Sequence, residues 1–161
     1  MQVLLVRHGD AVDRPLAGSD ADRWLTEYGR REVRSVGRAL AEMGFAFSRV
    51  LTSPLVRAVQ TAELLTEAQS QYDAELEAHR ALASEEGTTA QAIALLDACS
   101  EDEVVVMVTH VPKIGSLAAT LGELSHTPAF GTASVCLVEV NDGRGRAVWM
   151  LDSDSLTPRR F

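Results

Sequence analysis

Three short apolar runs constrain this fold more than any other feature of the chain. They are "VLLV" at Val3–Val6, "RVLTS" at Arg49–Ser53 and "EVVVMVTH" at Glu103–His110. None alternates apolar with polar residues, so none suits a strand with one wet face. Each must be covered on both sides, as in a parallel sheet flanked by helices. The intervening sequence supplies such helices. From Thr26, an N-cap, Val33, Val36, Leu40 and Met43 recur at spacings of three and four. Ser53 and Pro54 read as a cap and first-position pair opening a helix through Leu55–Ala68. Thr88 or Thr89 opens another carrying Ile93 and Leu96, and Pro112 opens a short one after the third run.

The C-terminal part reads differently. "ASVCLVEV" (Ala133–Val140), the turn "NDGRG" and "RAVWMLD" (Arg146–Asp152) predict an antiparallel hairpin added late to the sheet. The expected fold is therefore a three-layer α/β/α sandwich with a mostly parallel sheet, closed by a C-terminal antiparallel hairpin whose edge is open for pairing. Residues 1–161 form one domain, a length sufficient for a core without disulfides or metal. The longest polar stretch, Asp13–Asp22, is too long for a tight strand-to-helix connection, which marks the Asp10–Leu25 loop as a flap beside a ligand.

Composition narrows the function classes. A net charge of −8 opposes a phosphate backbone, which argues against nucleic-acid binding. No apolar run approaches the roughly 18 residues of a membrane helix. The start "MQVLLVRHGD" has neither a basic segment nor a cleavage site, so a soluble, cytoplasmic protein is expected. Cys99, on a helix, and Cys136, in a strand, lack CxxC spacing and read as two buried thiols.

Chemistry gathers where the strands end. His8 follows the first run and His110 closes the third, and parallel α/β sheets bind ligands at the carboxyl ends of their strands. Arg57 falls in the first turn of the helix after the second run, where free N–H groups favour an anion. Arg7 arrives beside His8. Taken singly, each has a plainer explanation: a surface turn in which Gly9 supplies a positive φ, an exposed helix charge at Arg57, a capped core histidine at His110. Together they deliver two arginines and two imidazoles to one rim, a site for a compact dianion such as phosphate.

The stretches "VRHGD", "TSPLVRAVQTAE" (Thr52–Glu63) and "VTHVP" (Val108–Pro112) resemble the signature set of the histidine phosphatase superfamily, the phosphoglycerate-mutase-like proteins. The short chain, "RWLTEYGRRE" (Arg23–Glu32) and the His-x-Pro form of the last motif resemble its SixA-type phosphohistidine phosphatases. The resemblance implies that His8 is a nucleophile carrying a phosphoryl group, with Arg7, Arg57 and His110 binding the phosphoryl oxygens. It implies no metal or other cofactor. The four histidines also lack zinc-like spacing.

In many relatives a glutamate after the second helix is the general acid. Here "LASEEGTT" (Leu82–Thr89) offers no clear match, so Glu85, Glu86 and Asp20 are candidates, each better read as a solvated loop carboxylate. A phosphohistidine substrate tolerates a missing acid, because its departing imidazole can be protonated beforehand. The implied partner is a phosphorylated protein with a histidine phosphotransfer domain. A small phosphomonoester, or a non-catalytic phosphate-recognising module, stands as the alternative.

Overall fold

A computed structural model describes residues 1–69 and 74–161. Among the described residues, seven strands form one sheet: β1 Gln2–Arg7, β2 Arg49–Thr52, β3 Glu75–Ala78, β4 Val104–Thr109, β5 Val135–Asn141, β6 Arg144–Leu151 and β7 Pro158–Arg160. Their spatial order is β3-β2-β4-β1-β5-β6-β7. The first four neighbours run parallel, and β5, β6 and β7 join antiparallel. The expected sandwich is present. The hairpin turns at Asp142 and Gly143, both at positive φ, the conformation a two-residue primed turn requires. Its edge is not open, because β7 pairs with β6. Three residues containing a proline were too short to read as a strand.

Burial on both faces follows from the apolar runs. On β1, Leu4 and Val6 enter one core with Val33, Val36, Leu40 and Leu65. Val3 and Leu5 enter a second core with Met107, Ile114 and Leu117. Each such side chain contributes roughly 1.5–3 kcal/mol when fully buried. The helices are α1 Arg14–Ala17, α2 Glu27–Glu42, α3 Val56–Glu67, α4 Thr89–Ile93 and α5 Lys113–Leu121. Thr26 caps α2 by accepting from the Gly29 amide, and Thr88 forms a reciprocal capping box with Gln91.

Ser53 and Pro54 do not open α3. Leu55 is its N-cap, and Ser53 stands before the helix, its Oγ accepting from the Leu55 amide at 3.3 Å. Cys136 is buried, whereas Cys99 lies just past a 3-10 turn and is only half-buried. Among the described residues, no helix is long and apolar enough to cross a membrane.

Two close approaches, of Gly9 to α2 and of the α2 residue Gly29 to Asp10, hold the turn after β1. A Cβ on Gly9 would lie 2.7 Å from Val33 Cγ2, and one on Gly29 only 2.1 Å from Asp10 O. Gly9 is thus a close-approach glycine rather than a positive-φ one. Alanine is intrinsically better than glycine in a helix by about 1 kcal/mol. The clash of Gly29→Ala with backbone should outweigh that gain and destabilise the protein by about 1–3 kcal/mol in urea unfolding. A raised midpoint would show that α2 yields instead.

Candidate active site

Because β1, β2 and β4 run parallel and adjacent, their carboxyl ends deliver Arg7 and His8, Ser53, and Thr109 and His110 to one rim. The β2-to-α3 connection then brings Arg57 to the same place. A cleft of about 320 Å³ opens there, lined by Arg7, His8, Arg57 and His110 with Arg14, Asp20 and Arg23 of the flap, and by Ser84, Glu85 and Val111. The four residues read as the anion site are therefore together. His8 and Arg57 are 7 % and 3 % exposed, so neither a surface turn nor an exposed helix charge describes them.

His8 has a fixed tautomer. Its Nδ1 lies 2.7 Å from Gly9 O, and a carbonyl can only accept, so Nδ1 carries the proton. Nε2 consequently presents a lone pair, which receives Arg57 Nε–H at 3.2 Å. The His110 ring stands 5.0 Å from that of His8, centroid to centroid, tilted by 54°. Its Nε2 is 2.7 Å from Ser53 Oγ, while its buried Nδ1 has no partner among the described residues. Arg7 donates to Phe130 O at 2.7 Å, and its buried Nε is likewise without a partner there.

Burial is the main reason both imidazoles stay neutral. It lowers His8 to a pKa of about 4, against a raising contribution from the Gly9 bond, and the charges of Arg57, Arg7 and Arg23 lower it further. His110 is lowered to about 2 by burial first, then by His8, Arg57 and Lys113, with Asp20 opposing. The arrangement is an uncharged base facing guanidinium charge in a partly enclosed cleft, suited to a compact anion carrying an electrophilic centre.

Supporting residues hold this geometry. Thr61 Oγ1 accepts from the Gly9 amide at 3.1 Å and donates to Arg57 O at 2.7 Å, linking the two halves of the site. The buried Glu32 carboxylate accepts from the Asp10 amide, from Thr132 and from Ser153. The flap is pinched at its base by an antiparallel bridge between Ala11 and Leu25. Its Asp20 accepts from Arg57 Nη2 at 2.9 Å and from Arg23 Nη1 at 3.1 Å.

Of the three acid candidates, Asp20 and Glu85 line the cleft. Glu86 is not among the lining residues, and its carboxylate lies 3.6 Å from Arg80. Ser53, Thr61, Glu32, Arg23 and Ser84 are not among the site residues expected from the sequence, although Ser53 directly follows a strand, Arg23 falls inside the long loop, and Thr61 and Glu32 lie in stretches that carry the family resemblance.

The chain matches the model of the histidine phosphatase superfamily, branch 1, over residues 3–93. It is 31% identical over 160 residues to the phosphohistidine phosphatase SixA of Escherichia coli, covering 97% of this chain and 96% of that one. An uncharacterized protein of Picosynechococcus is 34% identical over 130 residues, which are 78% of this chain and 77% of that protein. The solved structure of the protein histidine phosphatase SixA complexed with tungstate superposes at a TM-score of 0.88, with 31% identity, 98% of this chain and 100% of that chain covered. The chain therefore belongs to branch 1 of the histidine phosphatase superfamily, and within that family it is SixA-like.

Proposed function

We propose that the protein removes the phosphoryl group from phosphohistidine on a phosphotransfer protein of the cytoplasm, through a phosphorylated His8 and without a metal. The observation that carries this reading is the His8 ring, held neutral with Nδ1–H tied to Gly9 O and Nε2 toward the cleft. In the first step Nε2 attacks phosphorus, a new N–P bond forms and the substrate's N–P bond breaks. The departing imidazole keeps the electron pair and is neutral if it entered protonated. Water then attacks phosphorus, His8 regains its lone pair and inorganic phosphate leaves.

The cationic groups have separate tasks in this scheme. Arg7 and Arg57 hold phosphoryl oxygens while charge shifts along the transfer axis. Leu55 N–H already donates to Ser53 Oγ, so the serine hydroxyl can donate to His110 Nε2. His110 then carries its proton on Nδ1, a donor available to a phosphoryl oxygen. Asp20 is a poor general acid: burial raises it, but hydrogen bonds from Arg23 and Arg57 prevail and hold it below the usual carboxylate range. The substrate class rests on two supports, the near full-length likeness to SixA and a chemistry that needs no strong acid. A small phosphomonoester is the second reading, favoured by Glu85 at the cleft, where it could protonate an alkoxide.

Three outcomes are expected. His8→Ala should abolish phosphate release from a histidine-phosphorylated phosphotransfer domain, assayed with EDTA present, while wild type turns it over faster than an aryl phosphate. Substantial residual turnover would remove His8 as nucleophile, and an equal or faster aryl rate would favour the second reading. Arg57→Ala should lower kcat/KM by the equivalent of about 2–4 kcal/mol, the usual loss for one oriented donor to the transition state. An unchanged value would show that Arg57 does not reach the phosphoryl group.

The third concerns protonation. The His8 resonance followed by NMR should titrate near pH 4 rather than 6.5. Its folded value lies below the unfolded one, so the unfolded chain takes the proton first. This ring therefore subtracts stability as pH falls from about 6.5 through about 4, and is without effect above that window. A midpoint at the ordinary value would contradict the buried, arginine-flanked setting.

A further inference from the structure

All three nitrogens of Arg57 are engaged. Nε donates to His8 Nε2 at 3.2 Å, Nη1 to the Asp20 carbonyl at 2.7 Å and Nη2 to Asp20 Oδ2 at 2.9 Å. The other carboxylate oxygen of Asp20 accepts from Arg23 Nη1 at 3.1 Å, and Arg23 Nε is anchored to Val12 O at 2.6 Å. One flap residue thus offers three oxygens to two guanidiniums that line the cleft. Its side chain is 42 % exposed, whereas that of Arg57 is only 4 % exposed. The anion sits at the mouth and the cation at the floor.

This is the donor set a phosphoryl group needs. If Arg57 binds the phosphoryl oxygens, as the proposed function requires, a ligand and the Asp20 carboxylate call on the same N–H groups. The two differ in charge, about −2 for a phosphoryl group above neutral pH against −1 for the carboxylate. In a partly enclosed cleft, two guanidiniums favour the dianion over the monoanion. Small monoanions have no such advantage.

We propose that Asp20 is a specificity-determining counter-ion, a built-in carboxylate that competes with the phosphoryl group for Arg57 and Arg23. It is displaced by dianionic phosphoryl groups, keeps monoanions out, and returns to Arg57 when inorganic phosphate leaves. Asp20 lies in the Asp10–Leu25 loop, so its exchange couples anion binding to a shift of the flap around Ser19–Arg23. The reading explains why a carboxylate occupies the mouth of a site built for anions.

The test measures binding rather than turnover. Inorganic phosphate and nitrate are titrated at pH 8 by calorimetry into wild type, Asp20→Asn and Asp20→Ala. Phosphate should bind at least tenfold tighter to both variants, and nitrate should gain proportionally more, narrowing the discrimination between them. Formate should weaken phosphate binding to Asp20→Ala by refilling the carboxylate position, and should leave wild type unaffected. Unchanged or weaker phosphate binding in variants that unfold cooperatively near the wild-type temperature overturns the proposal, since a positioning or acid role for Asp20 predicts that result.

Wild type supplies a measurement independent of any variant. Phosphate saturation should move the Asp20 carboxyl carbon resonance, and a stationary resonance overturns the proposal. The two readings fail separately. Aryl phosphate turnover that survives His8→Ala defeats the phosphatase mechanism, while the binding ratios still decide the role of Asp20.

Discussion

An imidazole kept uncharged beside guanidinium groups is the constraint on which the rest of this site depends. A charged His8 would have no lone pair on Nε2, and it would be repelled by Arg57 at 3.2 Å. Burial and the flanking arginine charges prevent that, and a backbone bond decides where the neutral ring keeps its proton. Burial removes the water that would stabilise imidazolium, and the Gly9 carbonyl fixes the single remaining proton on Nδ1. Both depend on the turn after β1 lying against α2 with no side chain on Gly9 or Gly29 between them. The hydroxyl of Thr61, the carboxylate of Glu32 and the Thr26 cap then satisfy or brace that turn from three directions.

The architecture was legible because its causes are local and repeated. Continuous β-branched runs dictated strands wet on neither face, Thr26 marked the start of α2, and the strand ends placed His8, Arg57 and His110 around one rim. What escaped had causes that are distant in sequence. Ser53 looked like a helix cap because Ser-Pro usually is one, yet its hydroxyl meets His110, 57 residues away. Glu32 resembles any helical surface glutamate until Thr132 and Ser153 close over it from 100 and 121 residues distant. β7 escaped because three residues carry no readable period. The flap's course had no signature either, so Asp20 could be named as a carboxylate near the site but not as the partner of Arg57 and Arg23.

Charge is distributed against the net value. The chain carries −8 overall, yet the cleft gathers Arg7, Arg14, Arg23 and Arg57 against Asp20 and Glu85. An acidic net charge repels polyanions, while the recessed cationic cleft suits a compact anion. A phosphoryl group on a protein side chain, the substrate class proposed above, would have to reach Arg57 past Val111, which is 44 % exposed.

The parallel sheet makes this arrangement economical. Adjacent β1, β4 and β2 end at one level, so three residues that follow them in sequence meet without any long-range loop having to carry a reacting atom. Arg7, His8 and His110 end or directly follow the buried strands β1 and β4 and Arg57 lies in the first turn of α3, whereas Asp20, Arg23 and Glu85 come from loops. Rigid elements hold the atoms whose distances decide transfer, since displacement of about 1 Å there costs orders of magnitude in rate. The loop groups reach that set through Arg57, which Asp20 binds with its carbonyl and one carboxylate oxygen, so under the proposed counter-ion role substitutions in the flap would alter which anion Arg57 prefers.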